Sequence, residues 1–222
     1  MTPLTVACVF VEGPYPYTAD YVVRLERMAR RWISGPFRFV CLTDRPALLP
    51  GIETVAIPRT LHGGEGYWAK MRLFDPALGW TGRVLYLDLD VLLVAPLDPI
   101  LECPAPFALT ADPRYGAKAI DRFGRKVIYK FNSSVMLWTA GEQVDLFTDL
   151  TPETVERLST DQDWIAEKYP KAVGLPRAWF PRLSEAIAPP WPSAAKVVLV
   201  KVPKNHIAAT RWPWFASAWG SA

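Results

Sequence analysis

Between Val84 and Val94 the chain reads VLYLDLDVLLV, a run that is apolar throughout except for Asp88 and Asp90. Unbroken hydrophobicity of this kind belongs to a central strand covered on both faces. A carboxylate inside it is costly unless something compensates its lost hydration. Two readings meet that requirement. In the first, the strand simply ends and both aspartates are solvated. In the second, residues two apart in an extended chain project to the same side, at the C-terminal edge of a parallel sheet where ligands of such folds bind. A cation would then compensate the pair. Carboxylate oxygens are hard ligands suited to Mg²⁺ or Mn²⁺, which keep positions open for phosphate oxygens.

The surrounding sequence supplies the rest of such a sheet. Thr5 to Val11 is an apolar run of strand length closed by Gly13 and Pro14. A helix is predicted from Thr18 to Trp32, with Tyr21, Val22, Leu25, Met28, Ala29 and Trp32 on one face and Arg24, Arg27, Arg30 and Arg31 mainly on the other. Strands are predicted at Phe37–Leu42, Ile52–Ile57, Val84–Leu87, Phe107–Ala111, Ser134–Trp138 and Val197–Val202. An apolar helix is expected from Tyr67 to Phe74, and further helices begin near Thr151 and Thr160. Early alternation of strand, helix and strand implies an α/β fold with a mixed, mostly parallel central sheet and helices on both faces. At 222 residues with no break in composition, residues 1–222 read as a single domain.

Composition removes several function classes. Half of the residues are hydrophobic and evenly spread, which excludes a disordered chain. Lys and Arg number 25 against 22 Asp and Glu, with no long run of one sign, so nucleic acid is not an expected partner. Cys8, Cys41 and Cys103 are an odd set, two of them inside apolar runs, which suits buried thiols in a reducing compartment. No segment reaches the length that spans a bilayer, and no leader pattern opens the chain. The expected location is the cytoplasm, free or at the inner face of the membrane.

Taken in order, YLDLDVLL, FNSSVMLW (Phe131 to Trp138) and DQD (Asp161 to Asp163) resemble the retaining family 8 glycosyltransferases and their relatives, over about Tyr67 to Trp214. The resemblance implies a GT-A (Rossmann-like) fold, a nucleotide-diphosphate sugar donor, UDP-linked in that family, and a divalent ion. It implies a glycan, lipid-linked or protein acceptor. By position it makes Asp88, Asp90 and His206 the metal ligands. It sets Val9, Phe10 and Val11, at the end of the first strand, beside the donor nucleotide. Lys70 would meet the donor, Asn132 and Ser133 would line the sugar pocket, and Asp112 would hydrogen-bond the sugar. Gln162 would stand beside the anomeric carbon, and Asp161 would contact sugar hydroxyls. Two departures from the pattern are visible. His206 is followed by Ala209 and then Trp212, Pro213 and Trp214, without the family's lysine, so Lys201, Lys204 or Arg211 is left to supply that charge. After the first strand stand Glu12, Gly13, Tyr15 and Tyr17 in place of the family's uracil-reading side chains, and a tyrosine there could stack on the base.

Each assignment has a plainer counterpart. Thr160 with Asp163 three residues on is a capping-box pattern, which accounts for those two residues but not for Asp161 and Gln162. Lys70 could sit on a solvated helix face, and a lone histidine is often structural. Leu61 to Tyr67, Trp68, Trp179 and Phe180 either wall an acceptor site or pack in the core. Two other functions fit part of the sequence. DLDV resembles the first motif of haloacid dehalogenase-like phosphatases, although that motif normally lies on the first strand. The ten tryptophans suit a non-catalytic carbohydrate-binding protein.

Overall fold

The computed structural model describes residues 3–15, 17–112, 114, 118–128, 130–185, 194–200, 215, 218 and 219. In chain order the strands and helices are β1 (Leu4–Phe10), α1 (Ala19–Trp32), β2 (Arg38–Thr43), β3 (Glu53–Ala56), β4 (Arg83–Leu87), β5 (Val91–Leu93), α2 (Asp98–Leu101), β6 (Phe107–Ala111), β7 (Lys118–Ile120), β8 (Lys126–Ile128), β9 (Phe131–Thr139), α3 (Asp145–Thr148), α4 (Pro152–Arg157), α5 (Asp161–Lys168), β10 (Val173–Leu175) and β11 (Val197–Leu199). The expected helix at Tyr67–Phe74 is a 3₁₀ segment over Gly66–Phe74. Its residues are buried on several sides, with Trp68, Ala69, Met71, Leu73 and Phe74 all enclosed. Packing has thus overridden the amphipathic spacing that a surface α-helix needs.

Seven strands form the central sheet in the order β10-β6-β9-β4-β1-β2-β3. β1 runs parallel to both β2 and β4, β2 parallel to β3, and β6 parallel to β10. Only β9 is reversed, antiparallel to β4 and to β6. One face carries α1 and buries Val22, Leu25, Met28 and Ala29 against β1, β2 and β5. The 3₁₀ segment and α5 cover the other face, where Trp68, Met71, Trp138 and Ile165 form a second core. The sheet therefore separates two hydrophobic layers, which is why β1 and β4 are apolar at nearly every position. Cys8 and Cys41 stand opposite each other in the β1–β2 register, both fully buried as free thiols.

Three irregularities shape the site. The run VLYLDLDVLLV is not one strand. It breaks at a turn over Asp88 to Asp90, and β5 leaves the main sheet to pair antiparallel with β11. The β6–β9 ladder shifts, since Leu109 faces Met136 while Thr110 faces Asn132 rather than Val135. Such bulges re-aim side chains and recur beside functional sites. Finally, the capping box at α5 is present, and Asp163 accepts from the Thr160 N–H (3.0 Å), the Thr160 hydroxyl (2.8 Å) and the Ile128 N–H (2.5 Å). Asp163 is fully buried. Asp163→Ala strands three donors at once and is expected to cost about 3 kcal/mol, measured as a lower urea midpoint with unchanged slope.

Candidate active site

Strand order reverses beside β1, because the chain runs outward through β2 and β3 and returns on the other side as β4. A parallel sheet opens a crevice at such a point, outside the carboxyl ends of its strands. A cavity of about 710 Å³ lies there. Val9 and Val11 border it from the end of β1 and the residue just past it, Asp88 and Asp90 from the turn after β4, and Thr110 to Asp112 from the end of β6 and the residue that follows. Asn132 to Ser134 enter from the bulged start of β9, and Thr160 to Gln162 from the head of α5. Motifs far apart in sequence thus meet because each occupies one edge of the same sheet.

The two aspartates do not reach the cavity by strand alternation. Leu89 between them is buried in the core, and the turn delivers both carboxylates to one side. Asp88 accepts hydrogen bonds from the Tyr86 hydroxyl (2.5 Å) and pairs with the Lys70 ammonium at 2.9 Å. Asp90 accepts from the Tyr17 hydroxyl at 3.0 Å. Lys70 is central to this cluster. It also lies 3.6 Å from Asp161 and 3.2 Å from the Ser133 hydroxyl, which itself donates to Asp161 at 2.7 Å. Burial disfavours the ammonium, but the carboxylates of Asp161 and Asp88 outweigh it and hold the Lys70 pKa above its usual value. The solvated-helix reading of Lys70 is therefore wrong, since its side chain is only 12% exposed.

The neighbouring polar groups are equally constrained. Asp112 is buried and accepts three bonds from Arg114, from its backbone N–H and from two guanidinium nitrogens. Burial alone would raise the Asp112 pKa, and the contacts with Arg114 outweigh it and lower it. Asn132 accepts from the Ser134 N–H at 3.0 Å, which leaves its NH₂ as the group able to donate to a ligand. The Thr110 hydroxyl is buried on the cavity wall with no hydrogen-bond partner among the described residues. Buried polar atoms rarely stay unpaired, so this one marks a surface that a ligand or water completes.

Of the residues singled out from sequence, Val9, Val11, Lys70, Asp88, Asp90, Asp112, Asn132, Ser133, Asp161 and Gln162 all border this cavity. Phe10 does not: strand alternation turns its ring into the α1-side core, where it is 1% exposed. His206 lies outside the described residues, as do Lys201, Lys204 and Arg211. Trp68 and Phe180 are core residues with no exposure, so neither walls an acceptor site, and Leu61 is buried with them. Tyr67 does border the cavity. Tyr86, Arg114, Arg177 and Arg182 also border it and were not singled out. Tyr86 was readable, since it precedes Asp88 by two residues on the same strand face. The arginines follow loops and gave no comparable signal.

No protein-family profile matches the sequence, and no curated protein does. Solved structures of similar fold include the galactosyltransferase LgtC in complex with donor and acceptor sugar analogs. It is 17% identical with a TM-score of 0.68, over 98% of this chain and 95% of that one. The bifunctional glycosyltransferase WbbM, in its apo form, is 13% identical with a TM-score of 0.64. That match covers 99% of this chain and 51% of WbbM, so the chain spans about half of the larger protein. An active-site glutamine-to-glutamate mutant of LgtC is 15% identical with a TM-score of 0.58, over 98% and 95% of the two chains. The chain has the GT-A fold.

Proposed function

We propose that this chain is a glycosyltransferase that moves a sugar from a nucleotide diphosphate, a UDP-sugar, to a hydroxyl of a glycan, lipid-linked or protein acceptor. The reading includes a divalent ion, Mn²⁺ or Mg²⁺, and retention of anomeric configuration. One observation carries it. In a GT-A fold, a single cavity at the switch point gathers two adjacent carboxylates, a buried lysine, a neutral amide and several sugar-sized hydrogen-bonding groups. The phosphatase reading loses support, because three strands precede β4, the strand that leads into the aspartates. The carbohydrate-platform reading loses support too, since Trp68, Trp138, Trp164 and Trp219 are buried.

The donor set fits a hard cation. Asp88 and Asp90 present oxygens to one cavity beside tyrosine hydroxyls, and His206, which lies outside the described residues, is the third ligand in this reading. The remaining positions are then open to phosphate oxygens and water, as Mg²⁺ and Mn²⁺ prefer. When bound, the ion supplies positive charge at the diphosphate as negative charge develops on it. The chain's own residues do the rest. Lys70 stays protonated and adds a second fixed positive charge. Asp112, fixed by Arg114, and the Asn132 NH₂ can accept from and donate to sugar hydroxyls. Asp161, held by Lys70 and Ser133, orients the head of α5 so that Gln162 faces the cavity. An amide is a poor nucleophile, which favours attack by the acceptor on the same face that the leaving phosphate vacates, with that phosphate taking the acceptor proton.

The test is calorimetry of UDP binding with Mn²⁺ and with EDTA, together with hydrolysis of a panel of nucleotide-sugars. UDP is expected to bind at least tenfold more tightly with Mn²⁺, and one nucleotide-sugar is expected to be hydrolysed. Equal UDP affinity in both conditions would remove the cation from the reading.

A further inference from the structure

The two most exposed large apolar side chains among the described residues, Ile120 at 72% and Phe123 at 63%, lie on one short hairpin formed by β7 and β8. It is rigidly built. Asp121 accepts from the Phe123 N–H (2.8 Å), the Arg125 N–H (2.9 Å) and the Arg125 guanidinium (2.8 Å), which closes the turn. The Ser159 hydroxyl donates to the same carboxylate at 2.9 Å, and the Ser159 N–H donates to the Lys126 carbonyl at 3.0 Å. The hairpin is thus bolted to the segment that leads directly into Thr160, Asp161 and Gln162. An apolar tip held outward on a closed turn is not a loop that has failed to bury itself.

Charge accompanies the apolar tip. Arg122, Arg125, Lys126 and the adjacent Arg157 outnumber Asp121 and Glu167. The guanidinium carbons of Arg122 and Arg125 lie 4.6 and 5.2 Å from the Phe123 ring centroid, and Ile120 stands directly opposite Lys126 in the ladder. Each apolar group therefore comes with a cation beside it, the pattern that suits the boundary between anionic headgroups and acyl chains. A second copy of the chain fits less well, because a two-fold contact would press the same basic hairpin against itself. We propose that the β7–β8 hairpin docks the protein on an anionic lipid surface by inserting Ile120 and Phe123 among the headgroups. Its base adjoins the cavity, since Ser159, which holds the hairpin, accepts at its carbonyl from the hydroxyl of Tyr67 at 2.9 Å, and Tyr67 borders the cavity. If the transferase reading holds, docking brings the cavity mouth to the membrane and selects a lipid-linked acceptor.

The experiment is co-sedimentation of the full chain with vesicles of phosphatidylcholine alone and of phosphatidylcholine mixed with phosphatidylglycerol. The parent is expected to bind the mixed vesicles at least tenfold more tightly, and less so as salt rises. The double variant Ile120→Ser with Phe123→Ser is expected to lose about tenfold or more of that binding. Arg122→Glu should narrow the preference for anionic vesicles. Both variants change exposed side chains, so their melting temperature and nucleotide-sugar hydrolysis should match the parent. That readout separates failure of docking from failure of the transferase reading. The proposal is overturned if the parent binds both vesicles equally or the double variant binds as the parent does. It is also overturned if the double variant instead turns a dimer into a monomer, or if the parent prefers an oligonucleotide of similar charge.

Discussion

Asp88→Ala and Asp90→Ala are each expected to lower turnover of the nucleotide-sugar by about a hundredfold or more, the usual loss when one preorganised charge-stabilising group is removed from an active site. Both side chains end on a turn at the cavity wall and contribute little to either hydrophobic layer. Asp90→Ala should therefore leave the melting temperature within a few degrees of the parent, whereas Asp88→Ala also takes a partner from the buried Lys70 ammonium and the acceptor from the Tyr86 hydroxyl and should lower it further. In calorimetry, nucleotide affinity in the variants should no longer respond to Mn²⁺. If the variants keep their Mn²⁺ dependence, or if turnover falls by less than about threefold, the two carboxylates do not hold the cation and the proposed site needs other ligands.

The largest effect on stability is expected at Lys70. Its ammonium lies between Asp88 and Asp161, whose side chain is only 5% exposed. Lys70→Met keeps most of the volume but leaves Asp161 with Ser133 as its one remaining hydrogen-bonding side chain at that end. Breaking a buried pair from one side typically costs about 3–5 kcal/mol, because the surviving charge stays desolvated. For a chain of this size that corresponds to a fall of roughly 6–20 °C in melting temperature. Adding Asp161→Asn to Lys70→Met removes the stranded charge and should recover part of the loss. A double variant as unstable as the sum of the two single variants would show that Lys70 acts through packing alone.

The sheet was legible in the sequence where hydrophobicity was continuous. β1, β2, β4 and β6 fall within a residue or two of the predicted bounds, because a strand buried on both faces leaves an uninterrupted apolar signature. What the sequence concealed depends on contacts between distant segments. β5 reads as a continuation of β4, and only its pairing with β11 reveals that the chain has changed sheets. β9 begins at Phe131 rather than Ser134, since Phe131 and Asn132 pair with β6 only through a shifted register. β7, β8 and β10 are three residues each, too short for periodicity to show. The candidate site was more legible than the fold around it. Charged residues inside apolar strands carry their own signal, whereas Arg114, Arg177 and Arg182 lie outside the regular strands and α-helices, in segments without a periodicity that would show which way a side chain points. Phe10 marks the opposite case: adjacency in sequence to Val9 and Val11 suggested the cavity, and strand alternation sent its ring to the other layer.

The break between β4 and β5 sets the spacing of the two carboxylates. Asp88 is carried by the seven-stranded sheet, through its N–H bonded to the Ser134 carbonyl at 2.9 Å. Asp90 is carried by the two-stranded sheet, through its carbonyl accepting from Val200 at 3.3 Å. The gap between the carboxylates is therefore set by how two sheets rest on each other, and not by the local stereochemistry of a tripeptide. Mg²⁺ demands shorter and more regular coordination than larger divalent ions. If the pair holds the proposed cation, the fit to ionic radius can drift through apolar substitutions at Val197, Val198 or Phe180, which lie in the core away from both carboxylates.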